Sequence, residues 1–168
     1  MRLRHSRSPT HPRRAVPGLN HAIFFLLASA GAAAWAVLSP ASAQEGLIPV
    51  KTPGGAIIYA ELADTTEKRA RGLMFRNSLA QDRGMLFTFA EPKPWTFWMK
   101  NTKIPLDIIW LDGKKRIVHI ERNVPICTRT DDSCPQYQPT EDAMYVLEIA
   151  GGMADALKLQ RGATLQFP

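Results

Sequence analysis

The chain has 168 residues, of which 45% are hydrophobic and 21% are charged, and its formal net charge is +6. Five of its 21 Lys and Arg residues lie in residues 1–43, and all 15 acidic residues lie beyond them, so residues 44–168 carry a net charge of only +1. This balance excludes the dense basic surface that nucleic-acid binding requires, and we expect no nucleic-acid partner. Residues 44–168 are long enough for a single globular domain with its own core.

Residues 1–43 have the order of a secretory signal peptide. Basic residues without any acid precede an apolar run at 22–38, and Ala41-Ser42-Ala43 follows with small residues at both cleavage-determining positions. An uncleaved membrane anchor is the alternative, but the run is shorter than the about 18 residues of a membrane span. We therefore predict cleavage near Ala43 and a periplasmic or otherwise extracytoplasmic protein, which meets the membrane only before cleavage.

Hydrophobic periodicity predicts about seven short strands and two short helices in residues 44–168. Asp64 stands three residues before Glu67, as in a helix cap, and Asp112-Gly113 indicates a hairpin because Gly accepts positive φ. The predicted helices lie at 65–74 and 152–159. The predicted strands lie at 56–62, 84–90, 96–100, 106–112, 116–121, 143–149 and 163–167. This pattern is typical of an α+β fold with a mostly antiparallel, strongly curved β-sheet or a barrel-like roll.

The two cysteines, Cys127 and Cys134, lie in the loop-like segment 122–140. An even number of cysteines in an oxidising compartment favours a disulfide over a metal-binding pair or two free thiols. We predict a Cys127–Cys134 disulfide that restrains this loop.

Several kinds of catalytic site are disfavoured by composition. Residues 44–168 contain one histidine, His119, and two serines, Ser78 and Ser133. One chain therefore lacks the imidazoles for a multi-histidine metal site, and a Ser-His-Asp hydrolase would depend on a strand histidine and a loop serine. We expect no bound cofactor, no resident metal, and a monomer.

Two carboxylates stand on apolar strand faces. Alternation places Asp107 with Ile109 and Leu111, and places Glu148 with Met144 and Val146. A buried carboxylate must be paired, hydrogen-bonded or protonated. A structural bond from Asp107 to Lys100, Asn101, Lys103 or a backbone N–H is one reading, and an Asp107–Glu148 acid-base pair is another.

Methionines and aromatic residues supply two further candidate sites. Thioethers of Met74, Met85 and Met99, with Met144 and Met153 further along the chain, are able to bind copper(I) in an exported protein, although methionine is also ordinary core filler. Large aromatic residues beside amide and ammonium donors suit a small polar ligand. This second pattern predicts a groove formed by Trp98, Lys100, Asn101, Asp107 and, on the cysteine loop, Tyr137.

The motifs of this domain closely resemble the domain of unknown function 192 family. The resemblance spans about residues 48–167 and is carried by RGLMFRNSL (71–79), GMLFTF (84–89), FWMKNTKIPLDIIWLD (97–112), CPQYQP (134–139) and YVLEIAGG (145–152). It implies a small, mostly β domain that is often exported in bacteria, and it supplies no activity. The family-like positions are Arg71, Gly72, Met74, Gly84, Met85, Trp98, Met99, Lys100, Asn101, Thr102, Pro105, Asp107, Cys134, Tyr137 and Glu148.

The expected function is therefore non-enzymatic binding of a small polar molecule or a cell-envelope fragment. The alternatives are an acid-base enzyme using Asp107 with Glu148, a copper(I)-handling protein using the methionines, and a structural or partner-docking domain without a small-molecule site.

Overall fold

A computed structural model describes residues 46–129 and 131–168. The predicted signal peptide lies outside the described residues. Within the described ranges, no helix is both long and apolar enough to cross a membrane. The described part is an α+β fold made mostly of strands, with two short helices.

Eight strands and two helices follow one another along the described part of the chain. They are β1 (Leu47–Lys51), β2 (Ile57–Ala63), α1 (Thr66–Arg71), β3 (Arg83–Lys93), β4 (Phe97–Trp98), β5 (Leu106–Leu111), β6 (Ile117–Val124), β7 (Gln136–Tyr137), β8 (Ala143–Ala150) and α2 (Met153–Ala156). Six predicted strands and both predicted helices are present. The sequence prediction missed β1, which contains Pro49, and β7, which lies between two prolines. The predicted strand at 163–167 forms only isolated bridges, which link Gln166 to Lys51 and Thr164 to Arg116.

Six of the strands form one mixed sheet in the order β1-β2-β3-β8-β5-β6, and β4 pairs with β7 in a separate two-stranded sheet. Strands β2 and β3 are parallel, because α1 lies in the crossover between them, and the other neighbours are antiparallel. The predicted barrel-like roll is wrong: in the described part of the chain, β1 and β6 do not pair, so the six-stranded sheet is not closed, and only the isolated bridges of segment 163–167 reach its two edges.

Side chains alternate between the two faces of this sheet and build two separate cores. All six residues of β5 are buried, because both faces of that strand are covered. The first face carries Phe87, Trp110 and Val146, and it packs against Leu73, Met99 and the β4–β7 pair. The second face carries Leu86, Ile109 and Leu147, and it packs against Ala154 of α2, Leu159 and Leu165.

Local interactions explain where α1 begins and ends. Thr65 caps the helix by accepting a 3.3 Å hydrogen bond from the Lys68 N–H, so the cap lies one residue later than the predicted Asp64. Gly72 ends the helix with φ of 46° and ψ of −137°, a conformation that favours glycine. The helix is therefore shorter than the predicted 65–74.

The hairpin between β5 and β6 is confirmed, but the positive φ belongs to another residue. Asp112 Oδ1 accepts hydrogen bonds of 2.9 Å from the N–H groups of Lys114 and Arg116. The residue with positive φ is Lys115, at 62°, and Gly113 does not have this conformation. The carboxylate of Asp112 therefore organises the turn.

Candidate functional site

Glu148 is a carboxyl group buried at the centre of the sheet. It lies on β8, opposite Met85 of β3 and Ile108 of β5, and only 5% of its surface is exposed. In the described part of the chain, no hydrogen-bond partner reaches its Oε2 atom. Burial raises the pKa of Glu148 to about 8, and the positive charge of Arg76 opposes this only in part. The side chain is therefore a neutral carboxylic acid at pH 7, with one O–H to donate.

A small cavity lies beside this carboxyl group. Its volume is about 40 Å³, and Gly72, Phe87, Trp98, Thr102 and Glu148 are among the residues that line it. A Cβ atom at Gly72 would lie 3.4 Å from Phe87 Cζ and 3.9 Å from Glu148 Oε2. A glycine here therefore combines a backbone conformation that other residues rarely adopt with a close approach to the carboxyl group.

A larger void of about 370 Å³ adjoins the small cavity. The two voids share Arg71, Gly72 and Met74 as lining residues, and we call them together the Glu148 cleft. The larger void lies between the sheet and the segment that follows α1, and its lining residues are Glu61, Leu62, Lys68, Arg71, Gly72, Met74, Phe75, Arg76 and Met85. The cleft therefore combines apolar walls, several charged groups and one neutral acid.

The charged groups of the cleft are mostly paired. Arg76 donates two hydrogen bonds to the carboxylate of Glu61, with lengths of 2.5 and 2.7 Å. These hydrogen bonds hold the pKa of Glu61 below its usual value. Lys68 is 2.8 Å from Asp64. Among the described residues, no hydrogen bond or ion pair involves the Arg71 guanidinium. Arg69, which lines the small cavity, donates its guanidinium N–H groups to backbone carbonyl oxygens of Asp64 and Thr88. Arg71 is therefore the one cleft cation in the described ranges whose guanidinium is left free.

Phe75 stands on the rim of the cleft in a strained conformation. Its φ is 65°, which is uncommon for a bulky residue, and 57% of its surface is exposed. The Phe75 N–H donates a 2.8 Å hydrogen bond to the Asn101 carbonyl oxygen, and Asn101 itself has a φ of 57°. The Asn101 side chain also contacts Met74 Sδ at 3.9 Å. Strain of this kind is frequent at ligand sites.

The residues of the predicted groove separate in the structure. Trp98 lines the small cavity, whereas Lys100 places its Nζ 5.2 Å from the Trp98 ring and forms an ion pair with Asp132 on the cysteine loop. Asn101 does not line the cleft, but its carbonyl oxygen accepts the hydrogen bond from the Phe75 N–H on the rim. Tyr137 pairs with Phe97 and packs against the first-face core. Of the predicted set, only Trp98 contributes to the lining of the Glu148 cleft.

Asp107 lies on the opposite face of the sheet from Glu148. The register places Asp107 opposite Ile149 and Glu148 opposite Ile108, and opposed residues in a sheet project to the same face. The predicted acid-base pair of Asp107 with Glu148 is therefore wrong.

Asp107 has a structural role instead. It is fully buried, and its carboxylate accepts backbone hydrogen bonds from Asn123 at 2.6 Å, Gly152 at 3.1 Å and Ala154 at 2.5 Å. These bonds join the end of β6 to the start of α2. A backbone N–H was one of the predicted partners. The side chains of Lys100, Asn101 and Lys103, the other predicted partners, contact Asp132, Met74 and Asn77 instead.

The methionines do not form one cluster at the cleft. Met74 and Met85 line the larger void, whereas Met99 is buried in the first-face core. The described part of the chain contains no group of three or more His, Cys, Asp or Glu residues arranged to hold a metal ion. A copper(I) site that used Met74, Met85 and Met99 together would require Met99 to leave the core.

The Cys127–Cys134 disulfide is confirmed, with the two Cα atoms 5.9 Å apart. The bridge precedes β7, which pairs with the strand that carries Trp98. The cysteine loop therefore borders the site indirectly, through β4 and through the Lys100–Asp132 ion pair.

Sequence reasoning missed Arg76, Phe75 and Glu61 as cleft residues. Arg71 and Gly72 were noted only as family-like positions. One signal was available: Lys68, Arg69, Arg71 and Arg76 form a dense basic segment around an apolar Gly-Leu-Met-Phe run. Such a segment indicates a charged surface, but only the fold shows that it covers Glu148.

Comparisons with known proteins agree with the family resemblance. The chain is similar to a UPF0127 protein of Thermococcus gammatolerans, with 28% identity over 109 residues; the match covers 65% of this chain and 66% of the length of that relative. It is also similar to the crystal structure of a protein of unknown function from Novosphingobium aromaticivorans, with 34% identity and a TM-score of 0.63 over 71% of this chain and 83% of that one.

The chain is also similar to a second solved structure, of a protein from Sinorhizobium meliloti that is described as a candidate transcription regulator. The identity is 32% and the TM-score is 0.61, and the match covers 72% of this chain and 92% of that one. The sequence model of DUF192, a family described as "Uncharacterized ACR", matches residues 49–167. The chain therefore belongs to the DUF192 family.

Proposed function

We propose that this protein is an exported, non-enzymatic binding module that holds a small polar ligand in the Glu148 cleft. The single observation that carries the proposal is the Oε2 atom of Glu148, which is buried beside a cavity without a partner in the described residues. A buried polar atom without a hydrogen bond is destabilising, and buried groups whose pKa values are strongly perturbed cluster at functional sites. A ligand atom in the small cavity would accept a hydrogen bond from the protonated carboxyl group of Glu148.

The size and lining of the cleft support a small ligand. A void of about 370 Å³ lies near the lower end of the range for ligand pockets, which is about 300 to 1,000 Å³. Met74, Phe75 and Met85 supply apolar contacts, while Arg71 and Glu148 supply polar ones. This mixture of apolar walls and few polar groups is typical of sites that orient one small molecule.

Acid-base catalysis by Glu148 alone is a second candidate function. A carboxyl pKa of about 8 lies close to neutral pH, where a general acid is most effective. Acid-base catalysis by Asp107 together with Glu148 is excluded, because Asp107 lies on the opposite face of the sheet from Glu148. If the protein converts its ligand and Glu148→Gln abolishes the conversion, catalysis is correct; if the ligand is recovered unchanged after long incubation, binding alone is correct.

A ligand screen tests the proposed function. The exported protein is screened by thermal shift against neutral and charged small polar molecules, including cell-wall sugars, and hits are measured by calorimetric titration. Glu148→Leu, which removes the hydrogen-bond donor, should weaken binding by about tenfold or more, as expected for a lost buried hydrogen bond. Glu141→Gln is the matched control, because Glu141 pairs with Arg161 outside the cleft. Equal binding by both variants, or the absence of any hit, would contradict the proposal.

Export is tested separately. Intact mass of the protein from the extracytoplasmic fraction should correspond to a chain that begins at Gln44. Full-length protein confined to the cytosol would exclude an exported binding module.

A further inference from the structure

The charges around the cleft restrict the kind of ligand that it accepts. Glu61 neutralises Arg76 through two hydrogen bonds, and Asp64 pairs with Lys68. The high pKa of Glu148 keeps that group uncharged at pH 7. Arg69, which lines the small cavity, donates only to the backbone carbonyl oxygens of Asp64 and Thr88. Arg71 is then the one cleft cation whose side chain has no hydrogen bond or ion pair within residues 46–129 and 131–168. One guanidinium therefore remains free to bind a ligand.

Arg71 occupies a position from which it is able to meet a bound molecule. It is the last residue of α1, directly precedes Gly72, and lines both the larger void and the small cavity. Its guanidinium presents a planar fork of N–H donors, which matches the two oxygens of a carboxylate. A phosphate monoester has three acceptor oxygens, one more than a single fork binds in bidentate fashion.

The larger void also has apolar lining residues. Phe75 and Met74 lie next to each other on the rim, and Met85 lies on the sheet beside Glu148. The backbone of Phe75 is held by its hydrogen bond to Asn101, although the positive φ is unfavourable. An exposed aromatic ring on a backbone held in this way offers a flat surface for the apolar face of a ligand, such as the C–H face of a sugar ring.

We infer that the ligand is a small organic monocarboxylate whose carboxylate binds Arg71, whose apolar face packs on Phe75, and whose hydrogen-bond acceptor reaches Glu148. This inference rests on the proposed function and adds the chemical class of the ligand to it. The volume of the larger void limits such a ligand to about the size of a monosaccharide derivative.

Matched pairs of probes test the inference on the exported protein. Each monocarboxylate in the panel is compared with its own primary carboxamide, which keeps the shape but removes the charge; N-acetylmuramic acid and its carboxamide form one pair. Binding is measured by calorimetric titration at pH 7. At least one acid should bind about tenfold to a hundredfold more tightly than its amide, as expected for a charge-assisted bond.

Variants of Arg71 connect this preference to the cleft. Arg71→Ala should remove the preference for the acid, and Arg71→Lys should retain part of it, because lysine keeps the charge but lacks the fork. Lys114→Ala is the charge-matched control, since Lys114 is exposed on the β5–β6 turn and does not line the cleft. Circular dichroism melting confirms that each variant is folded.

The outcomes distinguish the two proposals. If acids and amides bind equally, or if the preference survives Arg71→Ala, the inference of a monocarboxylate is overturned, while binding that depends on Glu148 keeps the proposed function. If only neutral molecules bind, and their binding depends on Glu148, the inference of a monocarboxylate is likewise overturned and the proposed function is kept. If no probe of any charge binds, both proposals fail.

Discussion

Glu148 should make the stability of the protein depend on pH in a direction opposite to that of an ordinary ion-paired carboxylate. Its pKa is about 8 in the folded protein, against 4.5 for an unperturbed glutamate. Between these pH values the folded state keeps a proton that the unfolded chain releases, so the free energy of unfolding falls as pH rises. The contribution is fully present below pH 4.5 and is lost as pH approaches 8.

The size of the effect follows from this difference in pKa. At about 1.4 kcal/mol for each pH unit, the loss between pH 4.5 and pH 7 is about 3 kcal/mol, and it reaches about 5 kcal/mol above pH 8. Glutamine has nearly the same shape and does not titrate. Glu148→Gln should therefore be more stable than the wild type by about 3 kcal/mol at pH 7, with the advantage disappearing near pH 4.5.

Urea unfolding of the two proteins between pH 4.5 and pH 8.5 measures this difference. The lowered pKa values of Glu61 and Asp64 produce the opposite pH dependence, but both proteins contain these groups, so their effects cancel in the comparison. Glu141→Gln serves as the control and should track the wild type. A stability difference that does not change with pH, or a Glu148→Gln protein that is less stable at pH 7, would show that the carboxylate is ionised and has a partner.

Three further substitutions test the structural roles assigned above by urea unfolding at pH 7. Asp107→Ala should cost about 3 kcal/mol, because three buried backbone N–H groups lose their acceptor, and a change near zero would contradict this role. Replacing Cys127 and Cys134 by serine should cost about 2 kcal/mol, and unchanged stability would mean that the bridge does not restrain the unfolded chain. Asn101→Ala should cost about 1 kcal/mol, because Asn101 has a positive φ that alanine tolerates less well. Lys100→Ala should cost less, since the ion pair of Lys100 with Asp132 is exposed. The reverse order would refute the rim role of Asn101.

Local patterns in the sequence were sufficient for much of the secondary structure. Alternation along 106–111 and 143–149 identified two buried strands, and Asp112-Gly113 identified the hairpin between β5 and β6. The spacing of Cys127 and Cys134 in a chain with a predicted export signal identified the disulfide. These features depend on neighbouring residues, so they can be read from short segments of sequence. The two-residue strands β4 and β7 depend on pairing with each other across a long loop, and only β4 overlapped a predicted strand.

The sequence by itself determined that Asp107 and Glu148 each stand on an apolar strand face, because strand alternation is a local property. Only the tertiary structure decided that these are opposite faces of one sheet, because the register of β5 against β8 depends on contacts between residues far apart in the chain. It also decided that Arg71, Phe75 and Arg76 line the Glu148 cleft, since the parallel pairing of β2 with β3 carries α1 and the following segment across the sheet. The role of each carboxyl group is set by its neighbours in space, and those neighbours are fixed by strand order and register rather than by local sequence.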